Sequence, residues 1–155
     1  MATLLYNETE EFHTEDIMSL NHSRIAYNLT KALFPYDKEY DILPELEFEL
    51  LNGNVKPDIS VCERQLINWK DDIIRLSNPP IIAIEILSPR QAFTDLTDKA
   101  FKIYLPAGVK SVWIIIPAIE MINVLELNKP VRTYTEGLLM DESTGIKIDV
   151  LQIFN

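Results

Sequence analysis

The chain has 155 residues, 47% hydrophobic and 25% charged, as expected of a soluble globular protein with one domain over residues 1–155. A single cysteine, Cys62, excludes an internal disulfide, no apolar run approaches the ~20 residues of a membrane helix, and the acidic opening MATLLYNETEEFHTED lacks a signal-peptide core; a cytoplasmic protein is the expectation. The net charge of −10 argues against a broadly basic nucleic-acid surface, but residues 1–53 hold 3 basic and 11 acidic side chains while residues 54–110 hold 8 and 7, so charge weakens a DNA role without excluding one.

From about Glu15 to Phe34, residues Ile17, Met18, Ile25, Leu29 and Leu33 fall on a helical stripe, and Pro35 closes it. In LEFELLNGNVKPDISV, Leu46, Phe48 and Leu50 alternate with Glu45, Glu47 and Glu49, and Asn52-Gly53 supplies turn chemistry. A two-residue turn there predicts pairing of Leu51 with Asn54, Glu49 with Lys56, and Glu47 with Asp58. The last pair sets like charges face to face unless a cation lies nearby. Val55, Ile59 and Val61 continue the apolar face of the return strand, and residues 63–78, with Trp69 and Asp71-Asp72, read as a surface excursion.

The run Ile81-Ile82-Ala83-Ile84-Glu85-Ile86-Leu87 reads as a strand buried on both faces, which makes its one carboxylate anomalous. Glu85 either sits at an exposed strand end or has a partner, because a lone buried charge is heavily penalised. FTDLTDKAFKIYLPAG then predicts a helix, with Thr94 as cap, Asp95 in the first turn, Asp95, Lys99 and Lys102 on one face, and Gly108 at the stop. VKSVWIIIP is a second buried strand, so strand, helix and strand suggest a parallel crossover. Shorter strands follow around Ile122–Leu127, Val131–Thr135 and Ile146–Ile148. The expected fold is α/β, a mixed sheet flanked by helices with a β-rich C-terminal tail.

Asp58 opens one strand, Glu85 lies in the next, and Lys99 sits on the helix that follows. Two carboxylates so placed suit a hard divalent cation, and a lysine beside them suits phosphate chemistry. The order of a helix, a hairpin bearing Pro57-Asp58, a strand bearing Glu85 and a helix resembles the PD-(D/E)XK nuclease superfamily. The detail is similar to its Uma-two branch of restriction endonucleases. The matching stretches are His22-Ser23-Arg24-Ile25 leading to Leu29 and Leu33, VKPDISVC, PPIIAIEILSP, the Asp95–Lys99 helix, YLPAGVKSVWIIIP and STGIKIDVLQIF.

The resemblance implies a restriction-endonuclease-like fold and an Mg²⁺- or Mn²⁺-dependent endonuclease acting on DNA phosphodiesters. It assigns Asp58 and Glu85 as metal ligands, with the Ile86 carbonyl as a third. The superfamily's lysine should stand two residues after Glu85, where this chain has Leu87, so Lys99 is the residue placed to replace it. Lys99 reads equally as an i, i+4 surface partner of Asp95. Arg90 or Lys99 is the structural alternative as partner of Glu85.

His22 is read as a hydrogen-bonded structural residue and stays outside the catalytic set, Glu47 as an exposed strand residue, and Cys62 as a small core residue. With only His13 and His22 besides Cys62, a zinc site is not supported, and neither a glycine-rich phosphate loop nor a Gly-x-Ser-x-Gly elbow is present. Leu87 and the net charge favour an alternative, an inactive nuclease fold serving as a binding or oligomerisation module. A homodimer through the β-rich tail is the prior for assembly.

Overall fold

The computed structural model describes residues 18–155. Helix α1 spans Leu20–Leu33 and starts where Ser19 Oγ accepts from the His22 N–H at 3.1 Å. His22, Ile25, Leu29 and Leu33 form its buried stripe, and the 3₁₀ turn Phe34–Tyr36, with Pro35 inside it, ends it. The helix expected from Glu15 therefore begins at Leu20 within the described residues. Ile17 lies outside them, and Met18 precedes the helix, largely exposed.

Strands β1 (Tyr40–Pro44), β4 (Ile59–Glu63), β6 (Ile82–Ile86), β7 (Ser111–Ile116), β8 (Met121–Leu125) and β9 (Arg132–Tyr134) form one sheet in the order β1-β4-β6-β7-β8-β9. Only β6 and β7 run parallel in it, as the crossover expectation required. The crossover is α2 (Phe93–Lys99), continued by a π-helical turn over Ala100–Tyr104. Ala92 rather than Thr94 occupies the cap, and Asp95 Oδ2 accepts from the Ala92 N–H at 3.2 Å. Gly108, at φ +104°, takes the left-handed conformation that lets the chain turn into β7.

A second sheet joins β3 (Gly53–Val55), β2 (Glu47–Leu50) and β5 (Arg75–Leu76), the last lying inside the segment read as a surface excursion. The hairpin register differs from the expected one. Leu50 pairs with Gly53, Glu49 with Asn54 and Phe48 with Val55, so Leu51 and Asn52 make the turn. Glu47 pairs with Arg75 of β5, not with Asp58, and Arg75 Nε donates to Glu47 Oε2 at 2.7 Å. The return strand is also not continuous. Pro57 has no N–H to give a ladder, and at Lys56-Pro57-Asp58 the chain leaves the small sheet and enters the large one.

The tail holds a two-stranded ladder, β10 (Leu138–Met140) with β11 (Lys147–Asp149), and a closing turn of helix α3 (Val150–Ile153). Asn28 of α1 donates to the carbonyls of Ile153 and Asn155, at 3.0 and 3.1 Å, which ties the tail to α1. No helix among the described residues is long and apolar enough to cross a membrane.

The two faces of β6 explain its composition. Ile82, Ile84 and Ile86 join the core beneath α1, with Trp113 and Ile115 of β7 and Leu29 and Leu33 of the helix. Ala83 faces the other way, into the core beneath α2 with Leu96, Tyr104, Val112 and Ile114. Each isoleucine so buried contributes roughly 1.5–3 kcal/mol. Glu85 shares the side of Ala83, and by strand alternation it points at α2. Cys62 lies in the α2-side core, where burial pushes its thiol up to about 11.

Candidate active site

The carboxylates come together where the sheet opens. β4 pairs with β6 only from Ile59 opposite Ile84, so the end of β6 beyond Ile84 has no ladder partner on that side. Asp58 occupies the gap. Its Oδ2 accepts from the Ile86 N–H at 2.7 Å, and its main-chain carbonyl accepts from the Glu45 N–H at 3.1 Å. In a strand the N–H and C=O of one residue leave on the same side, so the Ile86 carbonyl also faces this open edge.

The partner sought for Glu85 is double. Glu85, 4% exposed, receives a hydrogen bond from the Tyr104 hydroxyl at 2.7 Å on Oε2, and Lys99 Nζ lies 3.4 Å from the same oxygen. Burial pushes the Glu85 carboxyl up to about 7. The Lys99 charge opposes that shift, Asp58 adds to it, and the Tyr104 hydrogen bond opposes it. Of the two structural partners considered for Glu85, Lys99 makes the ion pair, while Arg90 is exposed. Leu87, on the same side of β6 as Glu85, packs against the α2-side core and leaves the charged position to Lys99.

Asp58 has its own partner, a histidine expected from the sequence to be structural and outside the site. His22 Nε2 of α1 lies 3.1 Å from Asp58 Oδ1, and His22 is 2% exposed. The hydrogen bond to Asp58 raises the imidazole pKa above 6.5, against burial, which lowers it. One signal in the sequence marks this residue: His22 and Asn28 are the polar members of a buried stripe with Ile25, Leu29 and Leu33, and Asn28 is taken up by the tail carbonyls. Tyr104 had no such signal, because a tyrosine on the inner face of a helix is ordinary core.

Asp58, Glu85, Ile86 and Lys99 line one cavity of about 410 Å³ with Lys56 and Gln91. Glu47 lies on its wall but is engaged by Arg75. Among the described residues no group of three or more histidine, cysteine, aspartate and glutamate side chains is arranged to cage a metal. The donor set is two carboxylates and a carbonyl. That fits a hard cation that keeps several of its waters and does not fit zinc. Asp58 adds to the upward shift of Glu85, so the two carboxylates repel one another across the cavity.

A family model described as "Putative restriction endonuclease" matches residues 11–150. The chain belongs to the Uma2 family. Among solved structures, this Uma2 chain is similar to a "putative nuclease belonging to DUF820" from Anabaena variabilis. The TM-score is 0.75 at 21% identity, covering 89% of this chain and 82% of that one, which shows a shared fold. A DrdV–DNA complex gives a TM-score of 0.39 at 12% identity, over 71% of this chain and 84% of that one, and supports no structural argument. No curated protein matches. The restriction-endonuclease-like fold expected from the ordered motifs is thus the fold of this Uma2 member.

Proposed function

We propose that the cavity is the active site of a divalent-metal-dependent endonuclease that hydrolyses phosphodiester bonds in DNA. The observation that carries this reading is Glu85: a buried carboxyl pushed up to about 7, in repulsion with Asp58, on the open edge of the central sheet. Such a group is costly to a fold that has no use for it, and perturbed carboxyls in clefts concentrate at functional sites. The family description "Putative restriction endonuclease" supports DNA as the substrate class.

Asp58, Glu85 and the Ile86 carbonyl would hold Mg²⁺ or Mn²⁺. When bound, such an ion polarises a phosphate oxygen and lowers the pKa of an attacking water. Lys99 reaches the cavity from α2 and serves in place of the lysine that the family pattern sets at position 87, where this chain has Leu87 just past β6. Its side chain is 18% exposed, and its ammonium supplies positive charge where a phosphate gains negative charge. Lys56 on the cavity wall adds a second cation for the strand.

The test is a Mn²⁺ titration, followed by paramagnetic signal and by thermal stability, on wild type, Asp58→Asn and Glu85→Gln, with supercoiled plasmid cleavage assayed in Mg²⁺ and Mn²⁺. Saturable binding lost in both variants, with cleavage lost alongside, is the expected result. Metal binding without cleavage of any DNA would leave an inactive nuclease-fold module. Identical titrations across the three proteins would remove the metal site itself.

A further inference from the structure

We infer that His22 is the positioning residue of Asp58, holding that carboxylate so that its remaining lone pairs face the cavity. The inference rests on the metal-site reading above. Asp58 belongs to neither β3 nor β4, so no ladder fixes it. Its carboxylate is instead held at both oxygens by different elements. His22 Nε2 of α1 lies 3.1 Å from Oδ1, and the Ile86 N–H of β6 donates to Oδ2 at 2.7 Å. Each oxygen keeps a second lone pair, and the side chain is 18% exposed, on the cavity side. The backbone of His22 is itself fixed, because its N–H donates to Ser19 Oγ at the helix cap.

Packing alone does not account for an imidazole here. The position belongs to the buried stripe of α1, which an aliphatic side chain would fill without burying a polar ring. His22 Nδ1 is buried and has no hydrogen-bond partner among the described residues, an arrangement that costs stability. What the imidazole adds is a rigid N–H aimed at Asp58. Outer partners of this kind orient metal ligands, and their loss typically weakens metal binding by about 10–100-fold.

The experiment titrates Mn²⁺, by paramagnetic signal, into wild type, Asp58→Asn, His22→Leu and His22→Gln, with urea unfolding of each metal-free protein alongside. His22→Leu is expected to stay folded and lose about 10–100-fold in Mn²⁺ affinity. His22→Gln, which keeps an N–H at similar reach, is expected to recover most of that loss. Should His22→Leu fail to fold, His22→Asn, polar but one methylene shorter than glutamine, replaces it with the same expected loss. Wild-type affinity in the leucine (or asparagine) variant overturns the positioning role. So does a glutamine variant that falls equally far at unchanged stability. If Asp58→Asn abolishes binding while His22→Leu leaves it intact, the metal site stands and only this inference fails. A wild type that takes up no Mn²⁺ overturns both.

Discussion

Glu85→Gln exchanges a buried ionisable group for a neutral one of nearly the same shape, still able to accept from Tyr104 and Lys99. Burial lifts the Glu85 carboxyl from its ordinary 4.5 to about 7. At about 1.4 kcal/mol per pH unit, the ionised form is disfavoured in the fold by on the order of 3 kcal/mol. The sign follows from proton binding. Between pH about 4.5 and about 7 the folded protein keeps a proton that the unfolded chain has released. The contribution of this group to stability therefore falls as pH rises from about 4.5 and is fully lost above about 7. Urea unfolding in EDTA at pH 5 and pH 8 measures it. At pH 5 wild type and variant should lie close together, and at pH 8 the variant should be more stable by at least about 1 kcal/mol, with about 3 as the ceiling. Saturating Mn²⁺ at pH 8 should reverse the order, because only the wild type binds it. A difference between the two proteins that is the same at both pH values, or a variant less stable at pH 8, would refute the reasoning.

Two further substitutions separate chemistry from framework. Lys99→Met should leave Mn²⁺ binding in place and cut plasmid cleavage on the order of 10²-fold or more, and full cleavage in that variant would remove Lys99 from the site. Asp141 is fully buried and accepts from Ser111 Oγ, Ser143 Oγ, and the N–H and Oγ1 of Thr144, at 2.6–3.0 Å. Asp141→Ala should therefore cost at least about 3 kcal/mol in urea unfolding. It should leave Mn²⁺ affinity unchanged, so a drop in affinity would show that the tail supports the site.

The parallel crossover and the anomaly of Glu85 were legible because both are local: an unbroken apolar run tolerates one carboxylate only if something answers it. The hairpin register was not legible, for a physical reason. The observed pairing differs from the expected one by two residues, and in a strand of period two such a slip leaves Phe48, Leu50 and Val55 on the same buried face. The apolar pattern cannot tell the registers apart, and the consequence fell on Glu47, whose partner is Arg75. β1 and β10 were missed because their side chains are half-buried or alternate only briefly. The role of His22 depends on a contact across 36 positions that no spacing rule within one helix reports.

The π-helical turn at Ala100–Tyr104 has a consequence for what one helix can deliver. Residues five apart on an α-helix sit about 140° from one another around the axis, so Lys99 and Tyr104 would ordinarily point at different neighbours. The wider turn, marked by the Leu105 N–H donating to the Ala100 carbonyl at 2.9 Å, closes that angle, and both side chains arrive at the same oxygen of Glu85. Regular winding of the same residues would instead swing Tyr104 about 140° from Lys99 and away from Glu85. The helix gives up regularity for reach, and the buried carboxylate of Glu85 gains two attendants from a single turn of chain.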